Sequence, residues 1–342
     1  MKLKLLLGII ISFAFLVWAF WKVDIAEFWD ALITASYQYF ALALVFSVAQ
    51  YLARAYRWKY LLILQKNIPF PSVLSALFIG FFGNTVLPFR AGEFLRAYVI
   101  GKNENLPKSA VLATVLVERM IDVLSLLFIA VIALFFLPVP ESPLYDMIKN
   151  FGIILFAAEI GIIFFCFMLL LKREVTLKVL ETALGVFSST VQNKVKVILL
   201  SFLDGLEILR STRHIFKLVI PTILIWIFAL LQCYAVLSAF GVSYGILTMF
   251  VIITVNMVLV SFALTIPSAP GFVGTFHAAA KEGLSIFSID PAIATGFAVL
   301  LHASSFLPAI IAGFYYFLRE NIKLSSAQSE FKFDEVARDS DK

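Results

Sequence analysis

Two clusters of ionisable residues sit where an apolar chain is least expected to carry them. Arg90, Glu93 and Arg96 close the stretch Asn84-Thr-Val-Leu-Pro-Phe-Arg-Ala-Gly-Glu-Phe-Leu-Arg96, directly after the apolar run Val73 to Phe82. Glu118, Arg119 and Asp122 stand inside a second apolar run, residues 109–138. Guanidinium groups offer planar, bidentate donors that suit phosphate and carboxylate oxygens, and neighbouring carboxylates can balance their charge or exchange protons. On a helix Glu118 and Asp122 share a face at i, i+4, and Arg119 can pair with Asp122 at i, i+3. Arg54 and Arg57, near the end of the apolar run 39–64, add positive charge. The chemistry predicted is a cationic binding site for a phosphate or carboxylate. The competing reading is structural, since intramembrane charges also pair to pin helices together or snorkel to the interface. A further polar set is His277, Lys281, Glu282 and His302, in which His277 and Lys281 share a helical face. His302 reads equally as a packing histidine or a proton-sensing one.

Both charged regions lie beside breaks in helical pattern. Pro88 is followed four residues later by Gly92, and Pro267 is followed four residues later by Gly271, with Pro270 and Gly274 in the same stretch. Asn84 precedes the first break. Hydrocarbon tolerates an interrupted helix and ionised side chains only where protein or a wet cavity surrounds them, so these breaks are predicted hinges of a functional site.

The remaining chain must place these residues at membrane depth. Of 342 residues 62% are apolar and 14% charged, with a mean hydropathy of +0.98. Soluble domains run at roughly 45–50% apolar and about 25% charged, so the expectation is an all-α polytopic membrane protein. The formal charge of +5 follows the excess of Lys and Arg expected in cytoplasmic loops and does not call for nucleic acid. Cys166 and Cys233 show no metal or redox spacing and are expected to pack as small hydrophobes. No metal and no cofactor is expected. Neither a phosphate-binding Gly-x4-Gly-Lys-Ser/Thr loop nor a Gly-x-Ser-x-Gly elbow occurs.

Apolar runs at about 5–21, 39–64, 109–138, 149–171, 215–240 and 291–318 are each long enough to cross. The first is read as a retained span. Two more stretches, 72–88 and 246–266, run into the breaks and are followed by short helices near 91–105 and 271–288. The expectation is therefore about six spans plus two re-entrant hairpins. Residues 1–320 form one transmembrane domain, and the polar tail 321–342 is expected to be disordered. The charge bias of the loops puts both termini in the cytoplasm, together with a basic amphipathic segment at 172–217. On this topology the breaks have opposite orientations. Glu118 and His302 both lie eleven residues after a proline, Pro107 and Pro291, and Ala110, Val115 and Leu116 recur as Ala294, Val299 and Leu300. Inverted repeats at about 72–138 and 246–318 account for that symmetry. Asn256, Gln232 and Glu159 are assigned to helix–helix hydrogen bonding.

The run Asn84-x3-Pro88-x-Arg90-x-Gly92-Glu93-x2-Arg96, then Glu118-Arg119-x2-Asp122, then Pro270-Gly271-x2-Gly274, resembles the lysylphosphatidylglycerol-synthase transmembrane, or flippase-like, family over about residues 5–320. The resemblance implies a membrane-embedded lipid translocase whose partner is a lipid with an anionic or polyprenyl-phosphate-linked head group, in the cell membrane. Arg90, Arg96 and Arg119 would then hold the head group, with Glu93, Glu118 and Asp122 balancing charge. The sequence departs from the pattern after the second glycine-rich element, where His277 stands close and the first acid is Glu282. A lipid-modifying transferase using Glu118 and His302, and a scaffold recruiting a lipid enzyme, stay open beside transport. The oligomeric state, including a homo-oligomer, stays open too.

Overall fold

A computed structural model describes residues 2–63, 65–87, 90–135, 212–266 and 268–322, with isolated helical positions between 153 and 182. Outside these residues lie Pro88, Pro267, Glu159, Cys166, most of the segments 149–171 and 172–217, and the tail from residue 323. Every regular element among the described residues is helical, as the composition requires. In chain order they are α1 (Lys2–Phe20), α2 (Ile25–Thr34), α3 (Tyr37–Leu62), α4 (Phe70–Val86), α5 (Gly92–Glu104) and α6 (Lys108–Phe135). After the segment outside the description come α7 (Thr212–Ala239), α8 (Ile246–Ala263), a single 3₁₀ turn at Pro270–Phe272, α9 (Thr275–Ser285) and α10 (Pro291–Arg319).

Helix boundaries follow local chemistry. Asp290 accepts from the amides of Ala292 (2.8 Å) and Ile293 (3.2 Å), while Pro291 fills the first helical position, where no amide donor is needed. Asn105 takes a left-handed conformation at φ 55° to end α5, and the amide of Leu106 closes back on the Gly101 carbonyl. Pro107 directly precedes α6, and its carbonyl accepts from the amides of Ala110 and Val111.

Helix α3, residues Ile215–Ala239 of α7, α8 and α10 are each long and apolar enough to cross a membrane. Residues Gly8–Phe20 and Ile25–Thr34 meet at 83° and together have the length of one broken span. Helix α6, at 28 residues, reaches about 42 Å at ~1.5 Å per residue, more than the ~30 Å hydrocarbon core, although Glu118, Arg119 and Asp122 interrupt its apolar sequence. Helices α8 and α4, at 18 and 17 residues, are close in length and each ends at one of the two breaks. Large apolar side chains such as Phe13, Val45, Leu52, Ile223, Ile311 and Phe314 point outward, as a lipid-facing surface requires.

Two apolar clusters hold the bundle. One joins α3 to α6 through Trp58, Leu61, Leu77, Ile79, Ile100 and Val111. The other joins α7 to α10 through Val236, Ile252, Phe276, Leu284, Phe297 and Leu301. The halves interlock where α3 runs along α7, α4 packs on α10, and α6 meets α8. Two of the three polar residues assigned to helix contacts do that, Glu159 lying outside the described residues: Gln232 Nε2 donates to Ser304 and Ser305 Oγ at 3.0 Å each, and Asn256 Nδ2 donates to the Ala280 carbonyl at 2.6 Å. Cys233 is a buried free thiol.

Candidate functional site

The first break is built by small residues and one amide. Asn84 Oδ1 accepts from the Gly92 amide at 2.9 Å, satisfying one of the orphan donors at the start of α5. Gly92 has no room for a side chain, because an added Cβ would overlap the Gly80 carbonyl and the Asn84 side chain. The Gly92 Cα in turn sits 2.9 Å from where a Cβ on Gly83 would stand. Helices α4 and α5 therefore close on bare backbone, and this contact delivers Glu93 and Arg96 to α6.

Seven of the expected site residues form one network there. Glu118 is its hub. Its Oε2 accepts from Arg96 Nη1 at 2.9 Å, and its Oε1 accepts from Arg119 Nη2 at 2.9 Å and from Arg57 Nη2 at 3.5 Å. One turn on, Asp122 accepts from Arg57 Nη2 at 2.6 Å and from Arg54 Nη1 at 2.8 Å, and lies 3.5 Å from Arg119 Nη2. Glu93 completes the set, with Oε1 3.8 Å from Arg119 Nε. Glu118 and Arg57 side chains are wholly buried and Arg96 is 3% exposed, while Arg54, Asp122, Glu93 and Arg119 form a rim at 12–29%. Four guanidinium groups against three carboxylates leave one positive charge in excess. Burying charges in this way is tolerated only with such dense pairing.

Pairing is nevertheless incomplete. Among the described residues, Arg57 Nε, Arg96 Nε, Arg96 Nη2 and Arg119 Nε are buried without a hydrogen-bond acceptor. Buried donors left unmade are rare and costly, and in a network with excess positive charge they fit an anion. Three neighbours support the network without any sequence signal. Thr222 of α7 accepts from Arg57 Nη1 at 3.3 Å. Trp58 places its ring 4.8 Å from the Arg96 guanidinium carbon and donates Nε1–H to Thr114 Oγ1 at 3.0 Å. Trp58 and Thr114 each look like ordinary apolar-helix residues, and only tertiary packing brings them to Arg96.

Arg90 lies within electrostatic reach of Glu93 and Arg119, adding a further positive charge beside the network, and joins the two breaks. At φ 54°, it sends Nη2 to the Leu264 carbonyl at 2.9 Å and lies 5.8 Å from the Phe272 ring centroid. The breaks touch directly as well, since a Cβ on Gly271 would meet the Thr85 carbonyl at 3.5 Å.

The expected residues of the second break gather into a different set. Gly271 and Gly274 adopt φ of 74° and 94°, which side-chain-bearing residues rarely reach. His302 Nε2 bonds the Gly271 carbonyl at 2.8 Å, the Gly274 amide points at His277 Nδ1 at 3.5 Å, and the two imidazole centroids are 4.7 Å apart. Lys281 donates from Nζ to the Trp21 carbonyl at 3.0 Å, and Ser12 Oγ accepts from the Ala269 amide at 2.7 Å, so this break is fastened to α1. Glu282 is half-buried on α9. Thus His277, His302 and Lys281 hold the second break, and the charged network belongs to the first. Among the described residues no group of three or more His, Cys, Asp and Glu is placed to hold a metal ion.

An all-helical bundle with lipid-facing apolar surfaces and an ionic network in its interior defines an integral membrane protein. The family model for the lysylphosphatidylglycerol synthase TM region matches residues 5–313, and the chain belongs to that family. It is similar to a UPF0104 membrane protein of Methanocaldococcus jannaschii, 23% identical over 316 residues that cover 90% of this chain and 92% of the relative. A second UPF0104 membrane protein, from Methanothermobacter thermautotrophicus, is 23% identical over 244 residues, 67% of this chain and 70% of the relative. Glycosyltransferase AglD of Haloferax volcanii is 26% identical over 280 residues, and this match takes in 75% of this chain and 44% of the glycosyltransferase.

Proposed function

We propose that this chain is a lipid translocase of the cell membrane, moving a phospholipid or a polyprenyl-phosphate-linked lipid between leaflets, with both termini in the cytoplasm. The observation that carries this reading is the charged network of α3, α5 and α6, buried inside the bundle, one positive charge in excess, with guanidinium donors unmatched. Such a network is more than helix pairing needs. It offers an anionic head group a place at membrane depth, while the apolar outer faces leave the acyl chains in lipid.

The two broken regions act in this reading as inverted halves that rock against each other. Arg119, the most exposed guanidinium of the rim, meets the head group first; Arg96 and Arg57 hold it deeper. Arg90 links the breaks in the present arrangement, and rocking frees it to take a head-group oxygen instead of the Leu264 carbonyl. Glu118 and Asp122 keep the guanidinium groups oriented.

The similarity to a glycosyltransferase of Haloferax volcanii favours a second reading, a membrane-embedded lipid-modifying transferase. Leaflet exchange of a fluorescent phospholipid in proteoliposomes, followed by quenching from outside and by mass analysis of the recovered lipid, separates the two. Arg119→Gln is expected to lower the exchange rate at least tenfold with the lipid recovered unchanged. Full exchange by a well-folded Arg119→Gln protein, or covalently altered lipid, would overturn the translocase reading.

A further inference from the structure

Helix α2 leaves α1 at 83° and carries three faces of different chemistry. The bend is set by the chain itself: Lys22 takes φ 60°, and Asp24 caps α2 by accepting from the amides of Ala26 at 2.7 Å and Glu27 at 3.3 Å. At ~100° per residue, Phe28 and Leu32 share one face, Ile25, Trp29 and Ile33 a second, and Glu27, Asp30 and Thr34 a third. The first face points inward. Phe28 is buried with its ring 5.4 Å from that of Phe20, and a Cβ on Gly296 of α10 would meet Leu32 Cδ2 at 3.7 Å. The third face is exposed and acidic. The second is exposed and apolar, with Ile25 at 53%, Trp29 at 57% and Ile33 at 73%. In the chain this stripe stands between exposed Trp18 and Trp21, at the end of α1, and exposed Tyr37, at the start of α3. Such amphipathic rings settle at head-group level.

We infer that α2 lies flat in the head-group boundary of one leaflet, with Ile25, Trp29 and Ile33 against the acyl chains and Glu27 and Asp30 toward water, and that its partner is a zwitterionic lipid surface. On the topology proposed above this is the external leaflet. Helix α1, with 19 residues, covers about 28 Å at ~1.5 Å per residue, so it nearly spans the ~30 Å hydrocarbon without α2. As part of a crossing, α2 would carry Glu27 and Asp30 into hydrocarbon, whereas lying flat it leaves both in water. Asp24, Glu27 and Asp30 against Lys22 give this corner two negative charges in excess. Anionic head groups are repelled by that balance, and attachment rests on buried apolar surface. Both ends of α2 are tied to the second half of the bundle. The Trp21 carbonyl accepts from Lys281 Nζ at 3.0 Å, and the Ser36 amide donates to the Ala239 carbonyl at 2.8 Å. A helix resting in the boundary therefore sets the depth of α9 and the second break. This holds whether or not the chain moves lipid.

The test is spin-label scanning of the full chain in phosphatidylcholine nanodiscs. Single cysteines replace Ile25, Glu27, Trp29, Asp30 and Ile33 in turn, in a variant lacking Cys166 and Cys233, with oxygen and a nickel chelate as relaxing agents. All five side chains are exposed, so the labels fit without repacking, and each protein must match the parent in size-exclusion profile and circular dichroism. Labels at 25, 29 and 33 are expected to share one depth within about 5 Å, the spread left by the 83° bend and a ~20° tilt of α1. Their oxygen-to-nickel ratio should be several-fold higher than at 27 and 30. A crossing helix would instead separate 25 and 33 by about 12 Å in depth, and that result overturns the inference. Equal nickel access at all five positions overturns it as well, since α2 would then stand in water. Dipolar broadening at 29 or 33 that disappears on dilution with unlabelled protein would put a second copy of the chain on the stripe in place of lipid. Replacing half the lipid by phosphatidylglycerol should leave the labels at the same depth or shallower; deeper insertion overturns the zwitterionic partner.

Discussion

Glu118→Gln removes one negative charge from the centre of the bundle and almost nothing else, since the amide matches the carboxylate in size. The side chain is wholly buried and accepts from three guanidinium groups, with Arg96 and Arg119 at 2.9 Å and Arg57 at 3.5 Å. Hydrogen bonds to charged groups contribute ~1.5–3 kcal/mol each, so weakening the two short ones costs about 3–6 kcal/mol. Breaking a buried ion pair by neutralising one partner gives a similar figure, ~3–5 kcal/mol. The excess charge also rises from one to two, which works in the same direction. At ~2 °C per kcal/mol, the low end suited to a chain of this size, the melting temperature should fall roughly 6–10 °C. Thermal unfolding of the purified protein, followed by tryptophan fluorescence and by loss of the monodisperse peak in size-exclusion chromatography, measures this. A companion Glu118→Gln/Arg96→Gln protein, back at one excess charge, should recover part of the loss, with a coupling of about 0.5–3 kcal/mol. A drop below about 2 °C for Glu118→Gln, or no recovery in the double variant, would show that Glu118 does not organise the network.

Two more predictions concern how the network is delivered and oriented. Gly92→Ala forces a methyl against the Gly80 carbonyl and should cost about 1–3 kcal/mol while separating α4 from α5, seen as a lower melting temperature and faster hydrogen exchange at the first break; unchanged exchange would contradict the close approach. Single cysteines at Asn103 and Ser285, in a variant lacking Cys166 and Cys233, should react with an impermeant thiol reagent from the cytoplasmic and external sides respectively, and labelling of both from one side would sink the inverted-repeat reading.

Acids and guanidinium groups of the network differ in how fully they are paired. Glu118 and Asp122 use their oxygens on guanidinium groups from three helices, which is the behaviour of structural pairing. The arginines, by contrast, outnumber their acceptors. The second set separates in the same manner: Lys281 and Ser12 fasten the break to α1, while His277 and His302 stack within it.

Much of this was legible in the sequence because it rests on local rules. Apolar content and run length fix an all-helical membrane protein, since hydrocarbon leaves the backbone few other ways to satisfy its hydrogen bonds. Helical periodicity places Glu118 and Asp122 on one face, and Asn84, Gly92, Gly271 and Gly274 mark breaks where the backbone is capped, bare or at positive φ. Which helices meet those faces was decided by tertiary structure alone. Arg57 reaches Asp122 across 65 positions and Arg90 reaches Leu264 across 174, and no periodicity within a helix names a partner so far away. Trp58 is invisible as a site residue until α3, α5 and α6 close around Arg96. That closure depends on side-chain shape at the helix interfaces, above all the bare surface of Gly80, Gly83 and Gly92, and it decides which guanidinium edge stays unpaired.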